Sequence, residues 1–145
     1  MKTVVLVCHP NPSQSVRNKE IAARVQQNKN VTVRYISELI KNPAEEQEFI
    51  KQFQRIVIQF PVYWYQITSV GKDYVDRVLT KELLTGKTLK IVNTTGAKQK
   101  YVNAEIIHGP WKMMAHYCEM TWETPEIYFI DDSADKVELI AKSLE

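Results

Sequence analysis

Cysteine is scarce in this chain: two in 145 residues, far apart at Cys8 and Cys118. They form no CxxC or other metal-ligand spacing, so nothing supports a disulfide framework or a zinc site, no metal is expected, and both read as small buried thiols. Glycine is scarce too, with four residues. None of them builds a Walker loop or a G-x-G-x-x-G turn, so the nucleotide motifs with the strongest signatures are missing. No apolar run is long enough to span a bilayer, and the one ahead of His9 is shorter than the h-region of a secretory signal, so a cytoplasmic location is expected. A charge bias is also lacking. Nineteen basic against 17 acidic side chains leave a net +2 spread along the chain, with no basic stripe to follow a row of phosphates, and nucleic acid is not an expected partner.

What is present is the mixture of an ordinary globular protein, 44% hydrophobic and 25% charged. The length predicts a single domain over 1–145 built on one core. Short segments rich in β-branched and aromatic residues read as strands: "TVVLV", "VTVRY", "RIVIQF", "TLKIVNTT" and "EIYFI". Helical patterns alternate with them. Ser15 to Asn28 carries Ile21, Ala22 and Val25 on one face, and Val70, Tyr74, Val75, Val78 and Leu79 make a second stripe. Asn42 as cap, Pro43 at the first helical position and Glu45 and Glu46 in the first turn predict a third helix. Trp111 to Cys118 reads as a fourth, and Val137, Ile140, Ala141 and Leu144 mark a closing one.

This alternation predicts an α/β fold with helices on both faces of a parallel sheet. Five strands fit the flavodoxin-like three-layer sandwich of order 2-1-3-4-5, which binds ligands beyond the carboxyl ends of its strands, at the switch between strands one and three. Three loops then meet at one edge. The first, "HPNPSQSVRN" from His9 to Asn18, has no acidic side chain and leads into a helix start, where free N–H groups and the hydroxyls of Ser13 and Ser15 suit an anion. The second, "FPVYWYQITS", places Tyr63, Trp64 and Tyr65 where the chain should turn over the surface, an apolar wall for a flat ring or for a partner subunit. The third, "NTTGAKQKY", offers threonine hydroxyls and a close approach at Gly96. An anion end, an aromatic wall and an N–H-rich rim match the phosphate, ring and polar edge of FMN, whose reduced form nearby donors stabilise.

The blocks "HPNPSQSVRN", "RIVIQFPVYWYQITSVGKDYVDRVLT", "TTGA" and "HYCEMTWETPEIYFI" resemble the flavodoxin-like NAD(P)H dehydrogenases (quinone). That family includes quinone reductases, general stress flavoproteins and ancillary subunits of glutathione-gated potassium efflux. The resemblance implies a flavin-binding homodimer that reduces quinones or similar flat acceptors by two electrons from NADH or NADPH, by ping-pong hydride transfer through flavin N5. It puts His9, Ser15, Val16 and Asn18 around the phosphate and ribityl chain, and Pro61, Val62, Tyr63, Trp64 and Tyr65 along the ring. Thr94, Thr95, Gly96 and Ala97 fall at its pyrimidine edge, with Tyr101 and His108 beside the substrate as catalytic candidates. FMN is expected over FAD because no segment is left over for an adenosine pocket. Two other readings stand beside the enzyme: a one-electron flavodoxin-like carrier, which a slightly basic chain does not favour, and a regulatory subunit associated peripherally with a membrane transporter.

Overall fold

The computed structural model describes all 145 residues. Its three central strands are apolar on both faces. They are β1 (Thr3–Cys8), β3 (Arg55–Pro61) and β4 (Thr88–Thr94), and nearly every residue in them is buried. Such continuous burial is what a parallel sheet covered on both sides demands. At the edge, β2 (Val31–Ile36) buries only its ends fully. The order is β2-β1-β3-β4-β5, all parallel, as the flavodoxin-like pattern predicts.

Alternate residues of the strands face two separate cores. Val4, Leu6, Ile56, Ile58 and Phe60 pack with Ile50, Tyr74, Leu84 and Trp111. These come from α2 (Pro43–Lys51), α3 (Ser69–Val78), α4 (Lys81–Leu84) and α5 (Ala104–Tyr117). Val5, Val7, Val57 and Val92 pack on the opposite face with Ile21, Val25, Val137 and Ile140, from α1 (Arg17–Val25) and α6 (Asp135–Ser143). Helix α3 comes especially close to β1 at Gly71, where an added Cβ would lie 2.8 Å from the Cβ of Cys8 and 2.6 Å from Ile67. Glycine there sets the depth at which the helix rests on the sheet.

Two elements differ from expectation. The fifth strand is in two pieces, β5 (Thr121–Trp122) and β6 (Glu126–Tyr128), both paired with β4. Leu89 faces Trp122 and Val92 faces Glu126, so Lys90 and Ile91 are opposed by Glu123, Thr124 and Pro125, one residue too many. The ladder bulges there, as it must around a proline without an N–H. Lys90 Nζ donates to the Thr124 carbonyl (2.8 Å) across the gap. Arg55, buried beneath, pairs with Glu123 (2.6 Å) and donates to the Leu144 carbonyl (2.9 Å) at the end of α6.

The helix read over Trp111 to Cys118 is the second difference, because it begins seven residues earlier. Asn103 caps it, its side chain accepting from the Glu105 N–H (3.1 Å), and it passes through Gly109 and Pro110. An interior proline costs a helix about 3 kcal/mol. Burial of Ile107, Trp111 and Ala115 on one face outweighs it.

Candidate functional site

At the carboxyl ends of β1, β3 and β4 two cavities adjoin, sharing Val62 and Thr95 in their walls. The larger, about 410 Å³, is framed by the first loop, the start of α1 and the end of β4. The smaller, about 220 Å³, lies under the aromatic loop and is lined mainly by apolar side chains. The larger alone falls within the range of about 300–1,000 Å³ common for a small-molecule site, and the smaller extends it.

The larger cavity gathers His9, Ser15, Val16, Asn18, Pro61, Tyr63, Thr94 and Gly96. Chain geometry prepares it for an anion. Helix α1 starts after Val16, not Ser15, and Val16 offers no side-chain cap. By contrast, Asn42, Thr68, Thr80 and Asn103 cap the four helices that follow. The first N–H groups of α1 therefore have no partner within the helix and meet the cavity at the positive end of its dipole. His9 Nδ1 accepts from the Asn11 N–H (2.9 Å). Burial lowers its pKa, so the ring is neutral and carries its proton on Nε2 as a donor. Its edge meets Tyr63, centroids 6.5 Å apart.

A buried polar chain lies under this end. Asn18, 2% exposed, donates from Nδ2 to Thr94 Oγ1 (2.7 Å). Gln59 Nε2 donates in turn to the Asn18 carbonyl (2.9 Å) and its Oδ1 (3.2 Å), while Gln59 Oε1 has no hydrogen-bond partner. The Thr68 hydroxyl donates to the Cys8 carbonyl (3.1 Å) and accepts from the Gly71 N–H (3.2 Å), fastening α3 to the strand that ends in the first loop. Burial raises the Cys8 thiol to a pKa of about 12, so it stays protonated and inert.

The smaller cavity is bounded by Trp64, Tyr65, Ala97 and Tyr101, with Val102 and Ile107 behind. Tyr63 and Gln66 exchange backbone hydrogen bonds (2.9 and 3.1 Å), closing a two-residue turn. Its central residues have φ of 49° at Trp64 and 65° at Tyr65. Such a turn normally holds Asn-Gly. Two aromatics in the left-handed region carry strain of about 1 kcal/mol or more each, and they remain far from buried, Trp64 at 90% exposure.

Gly96 borders the larger cavity with no such strain, and a Cβ added there would meet nothing within 4 Å. The chain leaves open space where a ligand's edge would lie. An acid-free anion end, a neutral imidazole donor, and an apolar compartment beside that space together fit FMN.

Tyr101 is 67% exposed at the rim of the smaller cavity. His108 lines neither cavity. It is 7% exposed, its Nε2 lies 2.7 Å from Asn93 Oδ1, and burial lowers its pKa. Asn93 precedes Thr94, so His108 steadies the third loop from behind. Tyr128 and Ile130, which line the larger cavity, had no role assigned from sequence. Their position at the end of the fifth strand, beside β4, was the available signal.

The model of the Flavodoxin-like fold family matches residues 1–145. The chain belongs to that family. It is 33% identical over 141 residues to the uncharacterized NAD(P)H oxidoreductase YrkL of Bacillus subtilis, covering 83% of this chain and 80% of that one. It is 30% identical over 149 residues to KefG of Enterobacter, an ancillary protein of a glutathione-regulated potassium-efflux system, covering 88% and 81%. Among solved structures, general stress protein 14 of Treponema denticola, in complex with FMN, superposes with a TM-score of 0.85 at 25% identity, covering 99% of this chain and 95% of that one.

Proposed function

We propose that the two adjoining cavities bind FMN and that the chain is an NAD(P)H-dependent reductase of quinones or similar flat acceptors. The carrying observation is that an acid-free, donor-rich compartment at a helix start shares a wall with an apolar, aromatic one at the switch of a flavodoxin-like sheet. The relatives support the reading, one being named an NAD(P)H oxidoreductase and another having been solved with FMN.

The N–H groups at the start of α1, the Ser15 hydroxyl and the Nε2–H of His9 hold the phosphate. Asn18 and Thr94 keep that end rigid. Val62, Trp64 and Tyr65 flank the ring, and Thr95, Gly96 and Ala97 meet its polar edge. FMN bound there supplies two-electron hydride chemistry between NADH or NADPH and the acceptor. Trp64 and Tyr65 offer flat molecules a stacking surface over the compartment. Tyr101, exposed at the rim, donates a proton to an acceptor that gains charge. His108 acts as a positioning residue through Asn93. FMN is preferred to FAD because no segment of the chain is left over to build an adenosine pocket.

Helix α5 also exposes Ile106, Met113 and Tyr117 at helical spacing. Beside them an apolar groove of about 590 Å³ runs between α3 and α5 past Val75, Trp111 and Met114. This face supports a homodimer. No helix is long and apolar enough to cross a membrane, and we place the protein in the cytoplasm. The similarity to KefG favours one second reading, a flavin-binding regulatory subunit of a potassium-efflux transporter.

The deciding experiment is the visible spectrum after loading with FMN and gel filtration. Retained flavin that bleaches with NADH or NADPH and recovers with a quinone is the expected result. Failure to retain flavin under any loading condition refutes the proposal. Flavin that is retained but does not turn over quinones leaves the regulatory reading in its place.

A further inference from the structure

Arg17 stands at the first position of α1. A cation there opposes the helix dipole, whose N-terminal end is positive and favours acidic side chains. It is also the one charged side chain among the residues lining the larger cavity, apart from the neutral His9. Within the protein it has two contacts. Its Nη1 pairs with Glu20 at 2.7 Å, both side chains being more than a third exposed, and an ion pair of that kind is weak and easily exchanged. Its guanidinium also lies over the ring of Tyr128, 5.1 Å from the centroid. Tyr128 is itself 3% exposed and fixed by its hydroxyl, which donates to the Asp132 carbonyl (2.9 Å). A rigid aromatic floor therefore holds the cation at the cavity wall, beside the uncapped N–H groups, at the wrong end of its own helix for stability.

We propose that Arg17 is the phosphate-binding cation of this cleft, exchanging Glu20 for the terminal phosphate of FMN and making the site select phosphorylated flavin over riboflavin. The proposal rests on the flavin reading above. A bound dianion turns the unfavourable placement of Arg17 into a favourable one, because the helix end and the guanidinium then act on the same charge. The planar fork matches two phosphate oxygens, which a lysine would meet only as a point charge.

The test is a titration of protein into FMN and into riboflavin, followed by quenching of flavin fluorescence, for the native protein and Arg17→Gln. The native protein should bind FMN more tightly than riboflavin. Arg17→Gln should weaken FMN binding roughly tenfold or more, the usual range for a charged hydrogen bond, while riboflavin binding stays the same. Added salt should weaken FMN binding more steeply in the native protein than in the variant. An FMN affinity unchanged by Arg17→Gln overturns the proposal and leaves the flavin reading standing. A loss of riboflavin as large as that of FMN also overturns it, because Arg17 would then be serving the fold. Failure of the native protein to bind either flavin removes both readings together.

Discussion

Asn18 and Trp64 line adjoining cavities, yet one is 2% and the other 90% exposed. Asn18 is clamped between Gln59 and Thr94, with its hydrogen bonds made inside the protein. Trp64 stands on a left-handed turn with its ring in solvent. The end meant for a charge is thus preorganised, so that donors need not reorganise when the anion arrives. The end meant for flat rings is open and strained, which admits partners of varied outline. Under the proposed function, specificity would reside at the first end and tolerance at the second.

Four substitutions or conditions test this contrast. The largest effect is expected for Asn18→Leu, which takes the Nδ2 donor from the buried Thr94 hydroxyl and leaves Gln59 Nε2 only the Asn18 carbonyl as acceptor. Urea unfolding should show a loss of about 2–4 kcal/mol, with FMN no longer retained. A stability change below about 1 kcal/mol would mean that the buried chain does not anchor this end.

Gly96→Leu should separate binding from folding. The new side chain meets no protein atom at its Cβ, so stability should hold within about 0.5 kcal/mol while FMN affinity falls. Undiminished FMN binding would remove Gly96 from the ligand's path.

Trp64→Gly relieves the left-handed backbone and should stabilise the protein by about 1 kcal/mol, while KM for a quinone rises. Loss of stability instead would show the turn to be held by packing rather than by function.

The smallest effect is a pH dependence. Burial lowers the pKa of His108 and of His9, so both are neutral in the fold. The unfolded chain takes up their protons near pH 6.5. Stability should therefore decline as pH falls below about 6.5 and level off once the lowered folded values are passed. The decline should be shallower in His108→Gln, read from urea midpoints at pH 7.5 and 5.5. Equal slopes would assign it to other groups.

Much of this was legible in the chain. Runs such as "TVVLV" and "RIVIQF" announce strands buried on both faces, and the order of the sheet follows from their alternation with helices. The sequence understates helix α5 because Gly109 and Pro110 carry a local stop signal. That signal is overridden by burial of Ile107 and Trp111 against surfaces distant in sequence. The three loops were legible from composition, since acid-free and aromatic stretches are unusual after strands. The buried support was not. Gln59 is visible as a polar residue in an apolar strand, but its partner Asn18 lies 41 positions away. Likewise, the family resemblance places His108 beside the substrate, whereas its bond to Asn93 is set by how α5 crosses β4.

The break between β5 and β6 has a consequence for how these molecules meet one another. The outer edge of a sheet normally offers a row of free N–H and C=O groups on which a strand from another chain can grow. On this side the row is cut into pieces of two and three residues. Pro125 removes a donor between them, and the extra residue puts the two pieces out of step. A passing strand finds no continuous template there, so end-to-end growth into larger sheets is blocked on that flank. On that flank, association is left to the helical faces.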